Sequence, residues 1–307
     1  MHPASNTETR AGAGTGLRIE RILCPIDFSE CSASAYRHAQ FIAGRFHATL
    51  IVQYVAELDE HLSLFYTISP EVDNFRRKLI SDGHANLRQF ITKAGGVQPE
   101  CIVLEGSAAD TILSLARERA VSLIVLGTHG RRGFDRLMLG SVTERVLRHA
   151  SCPVLAIRQS APDSDTRNAK VDTVPIRRVL CCIDFSVSSE RVIEYALAVA
   201  DAYDAEVTLL HILEDVPGSV NIAEETTITT ENLEKLLPPA DRSSIRIHLE
   251  IRVGRAYREI LQFASEAESD LIVAGVRGRQ TLDRAVFGST TYRVIQLGPC
   301  PVLAVPS

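Results

Sequence analysis

The chain has 307 residues, 45% hydrophobic and 23% charged, which is enough apolar material for two buried cores. Aromatics are 6% and Trp is absent, so the apolar content is largely aliphatic, which suits helices over parallel strands and argues against an all-β sandwich. A net charge of −5 excludes a general attraction to nucleic acid or anionic membranes, and seven cysteines without a C-x-x-C pair exclude a disulfide framework and a zinc site. A reducing cytoplasm is the predicted setting.

Met1 to Leu17 is a Gly/Ala/Ser/Thr-rich stretch read as a disordered tail, and no later run reaches the ~20 apolar residues that span a bilayer. Its run Gly12–Gly16 precedes a strand, whereas a dinucleotide fingerprint follows one. Next come short β-branched segments at Ile19–Ile26, Ala48–Val55, Cys101–Leu104, Leu123–Leu126 and Val154–Ile157, separated by stretches of helical length. Ala35, Ala39, Ile42, Ala43 and Phe46 share one helical face after Ser32, and Ile112, Leu115 and Ala116 share another after Asp110. Residues 159–175 are polar and lack an apolar period, so they are read as an interdomain linker. Strands recur at Arg178–Ile183, Glu206–Ile212, Ile247–Val253, Leu271–Ala274 and Val302–Val305.

The second part repeats the first. Arg21–Ser29 and Arg178–Ser186 share seven of nine residues, and Leu123–Ile157 and Leu271–Val305 share 18 of 35 without a gap. The offset falls from 157 to 148 between these matches, so nine residues are missing from a surface segment between Asp184 and Gly275. The predicted fold is α/β: two doubly wound, five-stranded parallel-sheet domains, residues 18–158 and 176–307.

Chemistry-bearing residues recur at equivalent places. Gly127-x2-Gly130-x9-Gly140-Ser141 follows the fourth strand, and Gly275-x2-Gly278-x9-Gly288-Ser289 follows its repeat. Glycines at the first two positions bring backbone N–H groups against a ligand, and Gly140-Ser141 opens the helix Val142–His149, whose N-terminus favours an anion. Gly288, Ser289 and Thr290 repeat that arrangement. Asp27 and Asp184 close the first strand of each repeat, next to the crevice where open α/β sheets bind ligands. Alternatively, each Asp caps a helix and each Gly-rich loop is only a turn. Arg131 and Arg279 are candidates to neutralise phosphates or are simply solvated, and His129 is read as a turn residue because Arg277 replaces it. There is no G-x-x-x-x-G-K-[ST] loop, no G-x-S-x-G elbow and no metal-spaced His/carboxylate set, so no catalytic or metal residue is predicted.

These motifs, with the strand ending Cys-Pro-Val-Leu-Ala, resemble the universal stress protein family over residues 18–158 and 176–306. The resemblance implies strand order 3-2-1-4-5, an ATP-binding branch of the adenine nucleotide α-hydrolase-like fold, and ATP, with or without Mg2+, as cofactor. It implies that Pro25, Ile26 and Asp27 contact adenosine, that Tyr54 stands near adenine, and that Leu126 and Gly127 line base and ribose. Gly130, Arg131, Gly140, Ser141 and Val142 would hold phosphates. The second set is Cys182, Ile183, Asp184, Ile212, Ala274, Gly275, Gly278, Arg279, Gly288, Ser289 and Thr290; Cys182 in place of proline departs from the family pattern. Residues 152–158 and 300–306 are expected to pair within the chain, with a further homodimer left open. The implied role is nucleotide-dependent stress response or regulation through a protein partner, with at most slow ATP hydrolysis. A slow ATPase and a nucleotide-independent scaffold are the alternatives.

Overall fold

The structure is a computed structural model and describes residues 18–57, 70–130, 138–158, 176–214, 221–237, 245–276 and 288–306. The first part runs β1 (Arg21–Ile26), α1 (Glu30–Phe46), β2 (Thr49–Ala56), α2 (Pro70–Ala94), β3 (Glu100–Glu105), α3 (Ala108–Glu118), β4 (Leu123–Gly127), α4 (Ser141–His149) and β5 (Val154–Ile157). The second runs β6 (Arg178–Ile183), α5 (Ser189–Tyr203), β7 (Glu206–Leu213), α6 (Ile222–Leu236), β8 (Ile247–Val253), α7 (Ala256–Glu266), β9 (Leu271–Gly275), α8 (Ser289–Leu297) and β10 (Val302–Val305).

Local sequence explains the element boundaries. The Ser29 hydroxyl accepts from Ser32 N–H and caps α1, a contact that contributes about 1 kcal/mol. His47 ends that helix in the left-handed region at φ 53°, and Asp204 ends α5 the same way at φ 54°. The missing residues of the second repeat fall between its second and third strands, where α6 has 15 residues and α2 has 25.

All strands join one sheet in the order β3-β2-β1-β4-β5-β10-β9-β6-β7-β8, which is palindromic about the β5–β10 seam. Pairing is parallel throughout except at that seam, where the strands run antiparallel with Leu155 opposite Leu303. Both leucines are buried, at about 2 kcal/mol of transfer free energy each. The seam covers two strand edges that would otherwise be open.

Each face of the sheet carries one continuous apolar cluster that includes residues from both parts. One takes Tyr36 and Ala39 of α1, Leu87 of α2, Val192 and Ala196 of α5 and Leu233 of α6. The other takes Ile112 of α3, Val146 of α4, Ile260 of α7 and Val294 of α8. Strand side chains alternate between these clusters, so each residue near a strand's carboxyl end is committed to one face. Among the described residues no helix is long and apolar enough to cross a membrane, and no group of three or more His, Cys, Asp or Glu could hold a metal ion.

Candidate functional site

The site is built where β1 and β4 stop. Beyond β1 the chain turns at Phe28, in the left-handed region at φ 64°, before α1 begins. The Asp27 carboxylate accepts from Ser29 N–H at 3.0 Å and from the Ser29 hydroxyl at 2.6 Å. Ser29, not Asp27, is therefore the helix cap, and Asp27 Oδ2 faces the loop that leaves β4. A Cβ placed on Gly130 would lie 2.8 Å from that oxygen, so any other residue here would push the carboxylate or the loop aside. One turn earlier a Cβ on Gly127 would stand 2.7 Å from Cys31 Sγ and 3.0 Å from the Cys31 carbonyl carbon, which shows how closely β4 abuts the start of α1.

The N-terminus of α4 is held against the same loop. Gly140 N–H donates to the Thr128 carbonyl at 2.9 Å, and the Thr143 hydroxyl donates to the Gly127 carbonyl at 2.8 Å. As the cap residue, Gly140 supplies no side chain to the first N–H groups of α4, which leaves them suited to an anion. Val142 packs its side chain into the core, so its N–H is what it can offer, while Ser141 is exposed and lines a groove between α3 and α4. His129 has its pKa lowered, mainly by burial and further by Arg158, and its Nδ1 lies 2.8 Å from the Thr128 hydroxyl.

Pro25, Asp27 and Leu126 share the α3/α4 side of the sheet. Pro25 lies opposite Gln53 of β2, and Leu126 opposite Ala156 of β5. Ile26 and the Tyr54 ring belong to the other side. Ile26 is buried in the cluster under α1, and the Tyr54 ring packs tilted against Phe28 with ring centroids 4.8 Å apart. A side chain on Gly83 of α2 would reach Tyr54 Cδ1 at 3.0 Å, so the ring is also covered by α2.

The second part repeats the frame with altered side chains. Asp184 accepts from Ser186 N–H at 3.0 Å and from the Ser189 hydroxyl at 3.3 Å, and Phe185 turns at φ 55°. Gly288 N–H donates to the Val276 carbonyl at 3.0 Å, and the Thr291 hydroxyl to the Gly275 carbonyl at 2.7 Å. Cys182 and Ala274 stand level in the register, and Ser289 and Thr290 open α8 behind an uncapped Gly288. Ile183 sits opposite His211, whose ring lies 4.7 Å from Phe185, so His211 occupies the position of Tyr54. Ile212, expected there from sequence, points its side chain into the cluster on the opposite face. Thr143, Thr291 and His211 were not anticipated. Arg131, Gly278 and Arg279 lie outside the described residues, as do the tail 1–17 and the segment 159–175.

A five-strand unit with a carboxylate just past its first strand, a glycine ending its fourth strand and a helix without a side-chain N-cap thus occurs twice. The family model described as the universal stress protein family matches residues 18–158 and again 175–306. The chain belongs to the universal stress protein family, with one match in each half. It is 26% identical over 264 residues to a universal stress protein of Mycobacterium tuberculosis, covering 79% of this chain and 85% of that protein. A universal stress protein of Methanocaldococcus jannaschii is 34% identical over 142 residues, 46% of this chain and 82% of its own. The crystal structure of a universal stress protein from Archaeoglobus fulgidus superposes with a TM-score of 0.67 at 24% identity, covering 94% of this chain and 99% of that one, a likeness of fold.

Proposed function

We propose that each half of the chain binds an adenine nucleotide, ATP foremost, and that occupancy governs a stress-response or regulatory function exerted through a protein partner. The observation that carries this reading is the meeting of three groups: the Asp27 carboxylate, the side-chain-free backbone at Gly130, and the uncapped start of α4 at Gly140. A carboxylate accepts from ribose hydroxyls, and helix N–H groups donate to phosphate oxygens; a nucleotide presents both within one molecule. Asp184 with Gly288 and Ser289 would hold the second nucleotide, and Arg131 and Arg279 are proposed as phosphate partners.

The first crevice fits an adenine nucleotide by its cradle: a Cβ at Gly130 would obstruct the space beside the carboxylate. When bound, the nucleotide supplies a phosphoanhydride open to slow hydrolysis. The described residues contribute binding and orientation. His129, with its pKa lowered by burial, is neutral at pH 7 and adds no charge beside the phosphates. The two family matches support a boundary between halves near residues 159–175. All seven cysteines are free, which supports a reducing compartment such as the cytoplasm.

Calorimetric titration with ATP tests the reading. Asp27→Ala and Gly140→Glu, each checked for an intact fold by circular dichroism, are expected to abolish the first site and leave one nucleotide per chain. Unchanged stoichiometry and affinity in both variants would overturn it.

A further inference from the structure

Three arginines gather where α7 begins beside α8. Arg255 is the cap residue of α7, Arg258 lies in its first turn, and Arg293 stands one turn after Ser289 on α8. All three are exposed, and among the described residues none of them makes an ion pair. Tyr257 joins them. Its hydroxyl accepts from Arg258 Nε at 3.0 Å, and the Arg293 guanidinium lies over its ring, 4.4 Å from the centroid. The nearby acids are committed to backbone: Glu214 accepts from Ala256 N–H at 2.7 Å, and Glu259 lies against Gly254. The Tyr257 pKa is lowered, first by the Arg258 hydrogen bond and then by the charges of Arg258, Arg293 and Arg255, so positive potential collects here.

This arrangement works against α7. The start of a helix is the positive end of its dipole, so cations at the cap and in the first turn destabilise it, and Arg255 makes no side-chain bond to the free N–H groups. The first half shows the arrangement that stability favours. At the offset of 148, Ser107, Ala109 and Asp110 hold the places of Arg255, Tyr257 and Arg258, and Asp110 pairs at 2.7 Å with Arg145, the counterpart of Arg293. One scaffold thus carries a neutralised pair in one half and an uncompensated cluster in the other. Residue choices that oppose the stability of their own helix mark functional surfaces.

We infer that the exposed face formed by Arg255, Tyr257, Arg258 and Arg293 is a docking surface for a protein segment bearing adjacent aspartates or glutamates. Guanidinium forks match carboxylates in two-bond pairs, and a tyrosine ring supplies rigid apolar area; Arg and Tyr are the residue types that anchor protein interfaces. A nucleic acid fits less well. The chain carries a net charge of −5, and three arginines around one ring do not make the basic stripe that follows a phosphate backbone. The surface gives chemical form to the partner of the proposed function and does not depend on nucleotide binding.

The test is fluorescence polarisation on the full chain at low ionic strength, with a labelled oligoglutamate peptide, the matching oligoglutamine, and a single-stranded oligonucleotide of equal charge. Only oligoglutamate is expected to bind strongly, and added salt to weaken it. Arg258→Asp, which installs the Asp–Arg pair of the first half, is expected to weaken peptide binding by about tenfold or more. Its melting temperature is expected to hold or rise, because an acid in the first turn suits the helix dipole. Arg293→Gln is a second route to the same loss, whereas Arg77→Asp on α2, at the opposite face of the sheet, is expected to leave the affinity within about twofold. No binding of oligoglutamate, tighter binding of the oligonucleotide, or equal effects of Arg258→Asp and Arg77→Asp overturns the inference. Loss of ATP binding in Arg258→Asp, with ATP displacing the peptide, assigns the cluster to the second nucleotide site and overturns it as well. A chain that binds the peptide as described but no ATP overturns the nucleotide reading alone.

Discussion

A methyl group added to Gly130 would stand 2.8 Å from Asp27 Oδ2, a distance that carbon and oxygen do not hold without one of them moving. Gly130 is exposed and lies three residues past Gly127, the end of β4, so the strain is met by displacing the loop or the carboxylate and not by unpacking the core. Gly130→Ala is expected to weaken ATP binding at the first site by about tenfold or more, with a change in stability under about 0.5 kcal/mol. Titration calorimetry with parallel thermal melts separates the two effects.

Gly127→Ala reverses that pattern. Its methyl meets the Cys31 carbonyl carbon at 3.0 Å and Sγ at 2.7 Å, and the backbone carbon cannot rotate away. The expected cost is about 1–3 kcal/mol of stability from overpacking, seen as a lower urea midpoint. Adding Cys31→Ala recovers only the part due to the sulfur.

Thr143→Val and Thr291→Val each delete a hydroxyl that donates to the carbonyl of the last residue of β4 or β9. Each is expected to cost about 1 kcal/mol in equilibrium denaturation, equally in the two halves, because the bonds are equivalent at 2.8 and 2.7 Å.

Acid stability follows from two histidines. Burial, with help from Arg37, lowers the pKa of His38, and burial with Arg158 lowers that of His129. Below about pH 6.5 the unfolded chain takes up these protons before the folded one does, so their contribution is complete above that pH and is lost as pH falls through the folded values. The urea midpoint is expected to drop as pH falls below about 6.5, and the drop to shrink in the His38→Gln, His129→Gln double variant. Midpoint curves for the two proteins that run parallel would contradict this assignment.

The duplication made much of the frame readable from sequence, because Arg21–Ser29 and Arg178–Ser186, or Gly127 and Gly275, can be aligned by eye. Strand positions followed from β-branched runs. Facing was harder. Ile212 was placed beside the base although an offset of 157 from Tyr54 leads to His211, and only the register opposite Ile183 shows which of the two is equivalent. Thr143 and Thr291 share the offset of 148, a signal present in the alignment. Their bonds to carbonyls 16 residues away, however, depend on how α4 and α8 pack back against the sheet.

The most direct test of the central claim is to equilibrate the full chain with excess ATP, remove free ligand, denature the protein, and quantify released nucleotide by chromatography and mass. The account predicts two adenine nucleotides per chain, falling to one with Asp27→Ala and to none when Asp184→Ala is added. A wild-type chain that releases no nucleotide and shows no heat of ATP binding at saturating concentration would contradict it.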